Sequence, residues 1–267
     1  MFKLNVLQLF LILSFSLQAK NFTHINYGLD KSEKVALVIL NGFGDSKKNR
    51  KIQLDFFSNK EMDVFIPDYK QRNSLDESIA SFTKFYFEFE LEKYKEVNFL
   101  CYIIGGYVLN NFIESNGIKN TKRILYDRSP TQERAAKIGV DKLPLLSRIK
   151  YGRILFDFSV VSLKPLSNSD GLTIGVVIEN QATKLMRFFK KASYKYGVYS
   201  FDINDIDSNY DDFFHTWLDH DLMYKRFDVV GIEMLYFFQN GVFTKNAKRQ
   251  QYNWDPFKKL KKNDINL

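Results

Sequence analysis

The sequence predicts an α/β fold, a mostly parallel, doubly wound sheet flanked by helices on both faces. Three observations predict it. Short apolar segments rich in β-branched residues recur along the chain, and segments with three- and four-residue apolar spacing lie between them. The apolar segments also lack polar alternation, which is the mark of strands buried on both faces. Strand–helix alternation at this rhythm gives parallel strands joined by right-handed crossovers, with the ligand site outside the strands' carboxyl ends. The composition agrees: 267 residues, 45% hydrophobic and 26% charged, exclude a chain that is mainly disordered or fibrous. A single cysteine, Cys101, excludes an internal disulfide.

Taken in order, residues 1–19 read as a signal peptide. Lys3 supplies one positive charge, Leu4 to Leu17 form a short apolar core, and Ala19 is the small residue before Lys20. The alternative is an uncleaved N-terminal anchor, although the stretch is short for a membrane span. Export to a periplasm or to the medium is the expectation, with residues 20–267 forming a single domain. The expected strands are Val35–Leu40, Met62–Ile66, Val97–Tyr102, Arg123–Tyr126, Thr173–Ile178 and Gly197–Phe201. Helical spacing runs from Leu75 to Tyr94, from Gly106 to Ile113, from Thr183 to Tyr196 and from Val229 to Phe238. Residues 137–166 break the rhythm and read either as a small cap or lid over the site or as an edge extension. Residues 245–267 form a basic tail.

Three stretches bear on chemistry. Val38-Ile39-Leu40-Asn41-Gly42-Phe43-Gly44 is a buried strand ending in a glycine turn. Phe99-Leu100-Cys101-Tyr102-Ile103-Ile104-Gly105-Gly106-Tyr107-Val108-Leu109 is a strand, a turn with two glycines, and a helix start. His215-Thr216-Trp217-Leu218-Asp219-His220-Asp221-Leu222-Met223-Tyr224 holds two of the chain's 3 histidines. In order and context these stretches resemble the α/β-hydrolase superfamily. The first is similar to that superfamily's strand-to-loop turn, with Asn41 in place of the usual His. The second is similar to its Gly-x-Ser-x-Gly-Gly nucleophile elbow.

The resemblance implies a set of roles. Backbone N–H groups of Phe43 and Ile104 would form an oxyanion hole, with Asn41 and Gly42 contacting substrate. His220 would be the general base, and its acid partner either Asp127 or Glu179, in the order nucleophile, acid, base. Asp127 has other natural roles, pairing with Arg128 or Arg134 or capping a helix. The nucleophile position is held by Ile103, which has neither a proton to give nor a lone pair. Its β-branch also disfavours the strained backbone of a working elbow. Cys101, two residues upstream, reads as a buried core thiol, and Ser129, before Pro130, as a helix start.

No metal motif is present, and the adjacent residues Asp219-His220-Asp221 are poorly placed to converge on one ion. No phosphate-cradling loop is present either. Neither a metal nor a cofactor is therefore expected. The net charge of +8 peaks at Lys47–Lys51 and in the tail, where Trp254 and Phe257 add apolar surface. That tail could meet an anionic membrane surface. Nucleic acid is not an expected partner of an exported chain, and a monomer is expected. Three functions follow: a non-catalytic relative binding a small apolar or ester-type ligand or a protein; an ester or lipid hydrolase with an unconventional nucleophile; and a membrane-surface or host-contact protein acting through its tail.

Overall fold

A seven-stranded sheet in the order β1-β3-β2-β4-β5-β6-β7 runs through the molecule, whose computed structural model describes residues 21–166 and 171–260. Residues 1–19, expected to be a signal peptide, and the last seven residues of the basic tail lie outside the described residues. The strands are β1 (Phe22–His24), β2 (Val35–Leu40), β3 (Asp63–Ile66), β4 (Glu96–Tyr102), β5 (Thr121–Arg128), β6 (Thr173–Gln181) and β7 (Asp212–Asp219). All neighbours pair in parallel except β1, which lies antiparallel to β3 at the edge.

Burial on both faces explains the unbroken apolar runs. Ala36, Val38 and Leu40 of β2 and Val97, Phe99 and Cys101 of β4 face one core. Leu37 and Ile39 of β2 and Leu100 and Tyr102 of β4 face the other. The period of two thus divides each strand between two helical layers. Helices α2 (Leu75–Glu88) and α3 (Ile103–Asn116) cover the first face; α1 (Lys47–Phe57) and α11 (Phe227–Asn240) cover the second. Ser46 and Ser74 cap α1 and α2 through their hydroxyls.

Between β5 and β6 the chain folds into three short helices, α4 (Ala135–Lys142), α5 (Pro144–Tyr151) and α6 (Ile154–Ser159), the region expected to be a cap or an edge extension. They add no strand to the sheet. Arg72, from the loop after β3, holds them down. Its guanidinium donates to the carbonyls of Lys150 and Ile149, each at 2.7 Å, at the end of α5. Its own carbonyl accepts from Arg153 N–H at 2.7 Å. Gly152 makes this approach possible: its φ is +83°, and a Cβ there would lie 2.3 Å from the Arg72 carbonyl.

Two expectations are corrected. Gly197–Phe201 is not a strand: Val198 is 86% exposed, and Arg134 donates to the Gly197 and Val198 carbonyls that a ladder would have used. The last strand is Asp212–Asp219 instead, where Phe214 and Leu218 reach the second core. The single helix expected from Thr183 to Tyr196 is broken into α7 (Lys184–Phe188), α8 (Lys190–Ser193) and a 3₁₀ turn, and a short α9 (Ile203–Ile206) precedes β7. The edge strand β1 was not anticipated.

Candidate functional site

Parallel strands place their carboxyl ends on one side, and the sequence puts its polar residues there. β5 delivers Asp127 and β6 delivers Glu179, both fully buried. β7 ends at Asp219, whose carboxylate accepts from Leu222 N–H and caps α10 (His220–Met223), so that His220 opens that helix. A register shift between Glu179 and Gln181 sets Gln181 beside Asp219. These elements bring Asp127, Glu179 and His220 together.

Nδ1 of His220 lies 2.7 Å from Glu179 Oε1 and 3.5 Å from Asp127 Oδ2. Glu179 makes the hydrogen bond; Asp127 contributes charge at slightly longer range. Asp127 neither pairs with Arg128, which is taken by Glu133 and Asp207, nor caps a helix. Burial, and then the charge of Asp127, pushes the Glu179 carboxyl well above its ordinary 4.5. Burial works against an imidazolium at His220, but the two carboxylates outweigh it and hold His220 well above 6.5.

The other ring nitrogen is also occupied. Nε2 of His220 lies 3.1 Å from the phenol oxygen of Tyr224, a fully buried residue whose ring stacks on Tyr102 at 4.2 Å and 12°. Burial foremost pushes the Tyr224 phenol well above 10, so it keeps its proton. The Tyr102 hydroxyl donates to the Met223 carbonyl at 3.2 Å and fixes this pair.

Tyr224 also fills the glycine loop. A Cβ on Gly42 would come within 2.6 Å of the Tyr224 oxygen, and one on Gly44 within 2.9 Å of its ring. Gly105, in the turn that resembles an elbow, is demanded by packing as well: a Cβ there would lie 2.1 Å from the Leu40 carbonyl. Ile103 is the first residue of α3 and is not among the described non-glycine residues with positive φ, so the turn is an ordinary strand-to-helix passage.

Phe43, Ile103, Ile104, Gly42 and His220 line one cavity of about 730 Å³, walled on its other side by the cap helices through Leu143, Leu146, Tyr151, Leu155 and Phe158. Asn41 is not among the lining residues. Its amide exchanges hydrogen bonds with Gln53 at 2.8 Å and 2.8 Å, and its carbonyl accepts from Tyr69 at 2.7 Å. Asn41 therefore braces the loop from behind and is turned away from the substrate role that the resemblance implied. Cys101 is buried in the sheet, and burial pushes its thiol up. The Ser129 hydroxyl accepts from Gln132 N–H at 3.4 Å, at the start of a 3₁₀ turn.

Among the described residues, Asp127, Glu179 and His220 also form a set whose ligand atoms lie within 4.8 Å of one another. A tetrahedral ion with bonds of about 2.1 Å would hold neighbouring ligand atoms about 3.4 Å apart. The 2.7 Å separation of Nδ1 and Oε1 is that of a shared proton. His215 is separate: Asn180 meets its Nδ1 at 2.9 Å, and burial brings its pKa down to about 4. His24 lies on the exposed edge of β1.

The tail's aromatic residues pack inward. Trp254 donates to the Asn180 carbonyl at 3.0 Å, and Phe257 is buried beside Ala182 and Met186. The residue that sequence reasoning missed is Tyr224. The signal available was its i,i+4 spacing from His220.

Comparison with solved structures matches the fold. A Bacillus licheniformis lipase in its mature form aligns with a TM-score of 0.54 at 12% identity, over 83% of this chain and 98% of that one. Est1E from Butyrivibrio proteoclasticus aligns with a TM-score of 0.53 at 9% identity, over 82% and 92%. A bromoperoxidase from Bacillus anthracis aligns with a TM-score of 0.51 at 10% identity, over 82% and 95%. No protein-family model and no curated protein sequence matches the chain.

Proposed function

We propose that this chain, which has an α/β-hydrolase fold, is a non-catalytic relative that binds a small apolar or acyl ligand without covalent chemistry. One observation carries the reading: Nε2 of His220, the atom that would deprotonate a nucleophile, is taken by Tyr224 at 3.1 Å. Ile103 supports it, because an isoleucine in helical conformation can neither attack nor be activated. The cavity of about 730 Å³ is the right size for such a ligand, and its walls are mostly apolar. Export by residues 1–19 belongs to the same proposal.

The competing reading, an ester or lipid hydrolase with an unconventional nucleophile, has one specific candidate. The Tyr224 oxygen is the hydroxyl that rests on His220. Its complete burial and raised pKa count against it. Action through the basic tail at a membrane or host surface has less support, because Trp254 and Phe257 are used within the fold.

The test sets labelling by a fluorophosphonate probe and hydrolysis of short- and medium-chain nitrophenyl esters beside displacement of a fluorescent fatty acid. Saturable displacement with neither labelling nor turnover is expected. Labelling or turnover that disappears in His220→Ala or Tyr224→Phe would overturn the proposal in favour of a hydrolase.

A further inference from the structure

The rim formed by α5 and α7 carries apolar side chains that nothing in the described structure covers. On α5, Leu145, Leu146 and Ile149 are 71%, 60% and 64% exposed; on α7, Leu185 and Phe188 are 50% and 82% exposed. Single exposed apolar residues need no explanation, but here five large ones stand on two short helices. The helices border the same opening, since Leu146, Ile149 and Leu185 all line the cavity that reaches His220. Leu145 and Phe188 do not line it.

The charged residues on these helices have one sign. α5 carries Arg148 and Lys150, α7 carries Lys184 and Arg187, and neither helix has an acidic residue. Arg148, Lys150 and Lys184 are exposed. Asp221, on the far wall, is an exposed acid that lines the same cavity.

We infer that the α5–α7 rim is a docking surface for an anionic phospholipid membrane. Apolar side chains flanked by basic ones match the two layers that such a membrane offers, acyl chains below and anionic headgroups above. Long basic side chains can reach headgroups while their stems cover apolar surface. Charge complementarity favours this occupant over a second copy of the chain, whose rim would present the same positive charge. Docking here would also set the cavity mouth against a source of apolar ligand. The inference moves membrane contact from the tail to the α5–α7 rim. It goes beyond the proposed ligand binding and can fail independently of it.

The experiment is co-sedimentation of the full chain with vesicles of phosphatidylcholine alone or with added phosphatidylglycerol. The readout is the difference between the two vesicle types, so charge-independent insertion by apolar residues 4–17 cancels. Preferential binding to the anionic vesicles, weakened by salt, is expected. The variants Leu145→Ser/Phe188→Ser and Arg148→Glu/Lys184→Glu should each lower that binding about tenfold or more while displacing the fluorescent fatty acid as the wild type does. Neutralising Lys258, Lys259, Lys261 and Lys262 should change it less than twofold. Absence of an anionic preference would overturn the inference, as would rim variants that bind like the wild type or a loss seen only on neutralising the tail. Failure of fatty-acid displacement with vesicle binding intact would instead strike the proposed function alone.

Discussion

The phenol oxygen of Tyr224 stands 3.1 Å from Nε2 of His220, while Glu179 holds Nδ1 of the same ring at 2.7 Å. Both nitrogens of the imidazole are therefore committed inside the protein. A general base must present one of them to a reacting proton. Tyr224 also packs where any side chain on Gly42 or Gly44 would have to go, so histidine, tyrosine and glycine loop form one closed unit. The residues that resemble catalytic machinery hold one another in place.

Adding a hydroxyl should not by itself produce acyl-transfer chemistry. Ile103→Ser is expected to remain unlabelled by fluorophosphonate, because the new hydroxyl would sit in a helical turn and the histidine that lines the same cavity is already bound to Tyr224. Labelling of Ile103→Ser at position 103, lost again with His220→Ala, would show that the turn is still productive.

Stability should fall as pH rises above about 4.5 wherever Glu179 and His220 dominate. Both bind their protons more tightly in the folded chain than in the unfolded one. The Glu179 contribution is complete below 4.5 and the His220 contribution below 6.5, and each is lost as pH climbs through the raised folded value. Glu179→Gln removes one of these titrations. Denaturant midpoints of wild type and variant, measured from pH 4 to pH 8, should show the wild type losing ground to Glu179→Gln as pH increases. Parallel curves would mean that Glu179 titrates normally.

Gly105→Ala should destabilise the fold by about 1–3 kcal/mol or more, because the added methyl meets the Leu40 carbonyl at 2.1 Å and neither backbone can move cheaply. Gly106→Ala should cost less, since its Cβ would meet the Tyr126 ring at 3.1 Å. Urea unfolding of the two variants compares them directly. A milder effect at Gly105 than at Gly106 would contradict the packing role assigned here.

Arg72→Ala should loosen the cap while leaving the sheet intact. The guanidinium satisfies the last carbonyls of α5, and each lost hydrogen bond is worth about 0.5–1.5 kcal/mol. Limited proteolysis should then cut faster within residues 143–153, with the global melting transition moved by only a few degrees. Unchanged cleavage would mean that contacts of α4 and α6 alone secure the cap.

Much of the fold was legible because sheet burial writes itself into local sequence. β2 has the bounds read from its apolar run, and β3 through β6 differ from expectation only at their ends. Gly197–Phe201 misled because β-branched and aromatic content reports propensity, while strand formation needs a neighbour with free backbone groups. Asp212–Asp219 was hidden by its polar residues, although Phe214 and Leu218 alternate correctly onto the core. The order of Ile103, Asp127, Glu179 and His220 was readable, and so was the lack of a hydroxyl at position 103.

The sequence by itself determined the alternation of strands and helices, the side of the sheet on which the polar residues gather, and the lack of a hydroxyl at Ile103. Those depend on residue identity and near-neighbour spacing. Only the tertiary structure decided that Glu179 rather than Asp127 makes the short bond to His220, that Tyr224 occupies Nε2, and that Gly42, Gly44 and Gly105 serve packing. Each of these is a contact of a few ångströms between chain segments, mostly distant in sequence, and register and side-chain direction set such distances only once the sheet has assembled.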